Sequence, residues 1–156
     1  MNVASPDRRP GGPPSSARRL VAGLGLAGLL PFAGALAAAW LAPTFWQLLA
    51  IQVFLAYGAL ILSFLGGVHW GLALAHGQRH RLVAGILPSL VAWPSLLVDA
   101  RLGAGVLLVG FLAWRAYEVG PGASELPAWY RRLRTRLTLV VAACHLGLIA
   151  RLLLLV

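Results

Sequence analysis

Residues 48–75 read LLAIQVFLAYGALILSFLGGVHWGLALA, with no charged side chain and with His69 as the one histidine. Apolar and polar residues do not alternate along this run, which argues against a strand of a membrane barrel. In lipid, a single uncharged run of this length satisfies its own backbone hydrogen bonds as a helix. Comparable runs flank it at 20–42, 82–98, 102–117 and 137–156. The first holds 23 residues, about 34 Å of helix against a hydrocarbon core of about 30 Å. Two runs contain an arginine, Arg115 and Arg151, close enough to one end for the side chain to reach the headgroups.

The composition agrees. Of 156 residues, 60% are apolar and 11% charged, where ordinary globular domains hold roughly 45–50% and 25%. Mean hydropathy is +0.82. So few charges cannot cover a soluble surface, so most of the chain is in contact with lipid. A water-soluble enzyme and a disordered chain are excluded. The expected fold is an all-α membrane protein with five transmembrane helices in a domain over 20–156. A disordered basic tail over 1–19, rich in Pro, Gly and Ser, is expected to precede it. Ala37-Ala38-Ala39 before Trp40 is similar to a signal-peptide cleavage site. The apolar run is longer than the usual h-region, however, and is read as a retained span.

All thirteen basic residues are arginines, against four acids, for a net charge of +9. They sit at the ends of apolar runs and not on one basic face, which points to a membrane rather than to nucleic acid. With the N-terminus inside, Arg8, Arg9, Arg18, Arg19, Arg79, Arg81, Arg115, Arg131, Arg132, Arg134 and Arg136 lie inside, and only Arg101 and Arg151 outside. This bias predicts an N-in, C-out orientation. Short outer connections at 43–47 and 99–101 make the first and second helices, and the third and fourth, antiparallel neighbours. Residues 126–137, LPAWYRRLRTRL, place Leu126, Trp129, Tyr130, Leu133 and Leu137 on one helical face. They read as a basic interfacial helix running into the last span. Trp129, Tyr130, Arg131, Arg132, Arg134 and Arg136 would then meet the headgroups of an anionic inner leaflet.

Small residues recur at every fourth position at Ala59, Ser63, Gly67, Gly71 and Ala75. Such a ladder lets helix backbones approach closely in lipid, so Ser63, Gly67 and Gly71 are expected to pack against another helix or a second copy. His69 and His145 are intramembrane ionisable groups, and such groups are functional candidates by default. Counted from the inner ends of their runs they lie about 10 and 12 Å deep. At one level they would be able to relay protons or ligate a haem, or simply bond to neighbouring backbone. His76 and His80, beside Arg79 and Arg81, read as solvated. Pro88-Ser89-Leu90 and Pro94-Ser95-Leu96 form a near repeat in the third run. Each proline there frees a carbonyl, as Pro31 does in the first. Ser89 and Ser95 are therefore candidates for lining a site. Arg115 and Glu118, spaced i, i+3, are a candidate boundary ion pair, mirrored outside by Asp99 and Arg101. Cys144 is alone, so no intrachain disulfide and no cysteine metal site is expected. No catalytic constellation is visible, and neither an enzymatic activity nor a cofactor is expected.

Gly28–Phe32 (GLLPF), Leu62–Gly71 (LSFLGGVHWG), Leu87–Trp93 (LPSLVAW) and Leu126–Thr138 (LPAWYRRLRTRLT) resemble the domain of unknown function found in transmembrane protein 69 and in bacterial proteins. The resemblance spans about 20–145, with His69 and Trp70 inside its most specific motif and His145 outside the matched motifs. It implies a small multi-pass inner-membrane protein without an assigned activity. The expected protein is thus a non-enzymatic accessory or assembly factor of a bacterial inner membrane, or alternatively of the mitochondrial one. It would act within a larger membrane complex or as a homodimer. The alternatives are a small transporter or ligand- or proton-handling protein using His69, Ser89 and Ser95, and a haem protein using His69 and His145.

Overall fold

The computed structural model describes residues 14–76, 79–120 and 127–155, and those residues form no strand. They fold into α1 (Ser15–Ala27), α2 (Leu30–Leu41), α3 (Thr44–His76), α4 (Arg79–Ser95), α5 (Ala100–Val119) and α6 (Ala128–Leu154). Four segments are long and apolar enough to cross a membrane, namely Ser15–Leu41, Thr44–Leu74, Ala100–Val119 and Ala128–Leu154.

The first run is two helices, not one. Pro31 has no N–H to offer the carbonyl four residues back, so α1 stops at Ala27. Its end is closed by Gly28 N–H on Leu24 O and Leu29 N–H on Leu26 O, both at 3.0 Å. The Gly28 carbonyl takes the Tyr57 hydroxyl of α3 at 2.9 Å, so the break is held by a hydrogen bond that water cannot supply at this depth. α1 also begins earlier than expected. Residues 15–19, assigned above to the tail, are helical, with Arg18 and Arg19 exposed on the first turns. Residues 1–13 of that tail lie outside the described residues.

α4 ends at Ser95, short of the expected 98. Ser95 Oγ donates to Ala92 O at 2.6 Å, and Leu96 N–H and Leu97 N–H fold back onto Trp93 O and Pro94 O. α5 starts after Asp99, whose carboxylate accepts the Arg101 N–H at 2.9 Å as an N-cap. The basic segment before the last span is not a separate interfacial helix. α6 is continuous from Ala128 to Leu154, because nothing between Ala128 and Leu137 breaks a helix.

α3 is the central helix, packed against α2, α4 and α5. It runs parallel to α5, with Leu55 beside Gly103, Gly58 beside Leu107, Leu62 beside Gly110 and His69 beside Trp114. The expected packing ladder is displaced by one residue. Gly67 and Gly71 are exposed, and a methyl added at either would meet nothing within 4 Å, while Ser63 is half-buried. The close approach is made by Gly66 instead. A methyl there would strike the Gly85 carbonyl of α4 and lie 3.0 Å from Pro88 Cγ. Fourfold spacing of small residues marks a smooth face, but the seam forms where the partner also offers a notch, and Gly85 supplies it.

At the far end, Arg151 of α6 donates from Nε to Ala39 O at 3.0 Å and from Nη2 to Gln47 Oε1 at 2.9 Å. It also lies 5.7 Å from the centroid of the Trp40 ring. The arginine expected to reach outward thus ties α6 to the end of α2.

Candidate functional site

The opposite end of the bundle carries a polar cluster built by α3, α5 and α6. Arg134 donates from Nη2 to both Glu118 oxygens, at 2.8 and 3.0 Å. Arg115 Nη1 stands 3.6 Å from the same carboxylate, as the i, i+3 spacing anticipated. Arg115 is anchored on α6 as well, donating to Thr135 Oγ1 at 2.7 Å and to Arg131 O at 3.1 Å. Two guanidinium groups against one carboxylate leave the cluster with one excess positive charge. Arg134, expected at the lipid surface, faces inward; Arg131, Arg132 and Arg136 are exposed, and Trp129 and Tyr130 are half-buried.

His69 joins this cluster from α3. It is 4% exposed. Its Nδ1 lies 3.3 Å from Leu65 O and 4.0 Å from Glu118 Oε1. A carbonyl only accepts, so the neutral ring carries its proton on Nδ1 and presents a lone pair at Nε2. That Nε2 is buried without a partner, as are Trp114 Nε1 and Tyr117 Oη. The three rings touch, with His69 edge-on to Trp114 at 5.0 Å and Trp114 stacked on Tyr117 at 5.1 Å. Buried polar atoms left unsatisfied cost about 1–3 kcal/mol each, so each of the three is a position that a partner would stabilise.

A cavity of about 230 Å³ opens beside this cluster, between α1, α3 and α6. Val21, Leu24, Leu65, Val68, Leu133 and Leu137 form its walls, and Phe32, Phe111 and Val141 its floor. His69, Glu118, Tyr130 and Arg134 form its polar end. α1 closes one side with few contacts. Gly25 sits against Leu137, and the Arg18 guanidinium lies 5.8 Å from the Trp129 ring centroid. The short half-helix made by the Pro31 break therefore leaves a groove rather than a packed seam.

The two intramembrane histidines do not meet. His145 is completely buried, its Nδ1 donating to Val141 O at 2.8 Å. Its ring is enclosed by Phe54 at 4.8 Å, Phe111 at 5.4 Å and Phe32 at 5.7 Å, and its Nε2 has no partner. On α3 it stands beside Gly58, eleven residues and so about 16 Å from His69. Depths counted from the ends of apolar runs put them together. The level of His69 on α6 is instead set by Arg134, which lies before the last apolar run begins. Among the described residues no three of His, Cys, Asp and Glu gather. Trp70 is exposed with its Cβ against Gly85, Ser89 is half-buried and lies outside the cavity walls, and Ser95 is spent on Ala92. The side chains of His76 and His80 lie outside the described ones. The Glu118–Arg134 ion pair and Tyr57 go beyond the residues expected from the sequence. The available signal was that Glu118 lies among many arginines at its end of the bundle.

Residues 17–150 match the family described as "Protein of unknown function (DUF3429)". The chain belongs to this family. The DUF3429 match takes in every residue of the cluster and groove, and His145 too. Transmembrane protein 69 of Xenopus tropicalis is 35% identical over 130 residues, covering 80% of this chain and 51% of that protein. Transmembrane protein 69 of Mus musculus is 30% identical over 122 residues, covering 74% and 49%. The chain thus spans about half the length of the curated relatives it matches. No solved structure matches it. Its apolar helices and these relatives make it a multi-pass membrane protein.

Proposed function

We propose that this DUF3429 protein is a non-enzymatic, five-span protein of an inner membrane that takes a hydrophobic, polar-headed ligand from the bilayer into the groove between α1, α3 and α6. The observation that carries the reading is the cavity itself, apolar along its length and ending at a buried His69 with an unpartnered nitrogen. A fully packed surrounding of His69 would have pointed to a structural histidine. The bacterial inner membrane is the favoured location, the mitochondrial one the alternative.

The five-span topology is supported by the parallel course of α3 and α5. A chain leaving α3 at one end must travel back along it before entering α5 in the same direction, so α4 crosses whatever α3 crosses. Its 17 residues cover about 26 Å, and Leu96–Val98 supply the rest. Eleven arginines against two support N-in and C-out. In this frame the polar end of the groove opens at the inner headgroups.

The test is mass spectrometry of small molecules retained by protein purified in mild detergent. The wild type is expected to carry a hydrophobic compound near one per chain. His69→Ala should express normally and retain less, and Val68→Trp, which fills the groove wall, should retain none. Retention unchanged in Val68→Trp would refute the reading. The second reading, an accessory or assembly component in a larger complex or homodimer, is favoured by the open Gly67 and Gly71 face of α3. It predicts a particle larger than one chain in mild detergent, and a monodisperse monomer would count against it.

A further inference from the structure

We propose that the occupant of the groove is one acidic phospholipid, with an acyl chain between α1, α3 and α6 and its phosphate at Arg134 and Tyr130. This rests on the groove reading above.

Length favours a lipid chain over a compact ligand. From Tyr130 to Val141 the groove follows eleven residues of α6, about 16 Å. Half of a hydrocarbon core of about 30 Å is about 15 Å. The groove therefore runs from the headgroups to the bilayer centre, the depth of one leaflet. Its floor of Phe32, Phe111 and Val141 lies beside Gly28 and Leu29, where the first span is broken. Apart from Thr138 the walls between are apolar, which suits an acyl chain and excludes a free phosphate.

Charge selects the headgroup. Glu118 is already held by Arg134 and Arg115, leaving one positive charge in excess at the polar end. Arg18 lies over Trp129 beside the mouth, and Arg131 and Arg132 are exposed on the adjoining turn. A choline head would meet these cations without a free carboxylate to hold it, whereas a phosphate with no compensating ammonium would meet guanidinium donors suited to it. His69, beside the ion pair, presents its unsatisfied Nε2 lone pair to a hydroxyl donor such as that of a glycerol headgroup.

The experiment reconstitutes the full chain in vesicles of equimolar phosphatidylglycerol and phosphatidylcholine and reads retained lipid by native mass spectrometry. Phosphatidylglycerol should be retained in preference. Arg134→Gln should lower the ratio about fivefold, the effect of one arginine near a charged headgroup. Glu118→Gln should raise it, which simple loss of folding would not do. Val68→Trp should remove retained lipid and the preference together. A wild-type ratio equal to the bulk, or a fall in both charge variants, overturns the proposal. If Val68→Trp clears the lipid but the ratio ignores the headgroup, the groove reading stands and the acidic headgroup falls. If an acidic preference survives Val68→Trp, it belongs to the surface arginines and the proposal also falls. If Val68→Trp leaves total retention unchanged, the groove reading falls with it.

Discussion

Two adjacent glycines of α3 should respond oppositely to the same added methyl. At Gly66 the new Cβ would strike the Gly85 backbone carbonyl and sit 3.0 Å from Pro88 Cγ. Neither neighbour is the end of a flexible side chain, so α4 must shift as a body. Overpacking of this kind costs about 1–3 kcal/mol. The upper part of that range is expected, because the same contact positions Gly85 against the Trp70 backbone, 3.1 Å from where its own Cβ would lie. At Gly67 the methyl meets nothing within 4 Å, so Gly67→Ala gains helix propensity worth about 0.5–1 kcal/mol and loses no contact. The assay is the free energy of unfolding of purified protein, followed by helix signal during titration of mild detergent micelles with SDS. Gly66→Ala should lower it by about 2–3 kcal/mol and Gly67→Ala should leave it equal or slightly higher. Equal destabilisation by both would place the α3–α4 seam on the fourfold ladder and refute the packing described here.

The same assay checks three further substitutions. Arg151→Ala removes hydrogen bonds to Ala39 and Gln47 and the stacking on Trp40, and should cost about 1.5–3 kcal/mol as a charged donor in a partly buried site. Tyr57→Phe strips the donor from Gly28 O; a loss of about 0.5–1.5 kcal/mol is expected, with faster amide exchange confined to the α1–α2 junction. His145→Leu puts an apolar side chain among Phe32, Phe54 and Phe111 and removes both an unpartnered nitrogen and the hydrogen bond to Val141 O, so the two effects offset and stability should stay within about 1 kcal/mol of wild type. Purified wild type should show no Soret absorption, and a haem band abolished by His145→Leu would overturn the separation of the two histidines.

Much of this architecture can be read in the chain. Uncharged runs mark the helices because lipid leaves the backbone no other partner. Pro31 marks the break in the first span, although its support comes from Tyr57, 29 positions beyond the Gly28 carbonyl that it bonds. The candidate site was legible only in part. His69 stands out as an ionisable group in an apolar run, and Arg115 with Glu118 as an i, i+3 pair. Arg134 looks like one arginine of an interfacial strip, and only the continuation of α6 into the bundle turns it toward Glu118. Run boundaries also misplace depth, since α6 starts nine residues before its apolar run, and that error brought His145 to the level of His69. The one-residue displacement from Gly67 to Gly66 follows from where Gly85 and Pro88 cross. A single helix cannot reveal this.

α3 and α5 run parallel, and in the proposed threading α4 returns the chain across the bilayer and the groove opens at the inner leaflet. Reporter fusions at the two termini of the full chain test this directly. The N-terminal reporter should lie inside and the C-terminal one outside. Both reporters on the same side would contradict the five-span threading and the place of the groove within it.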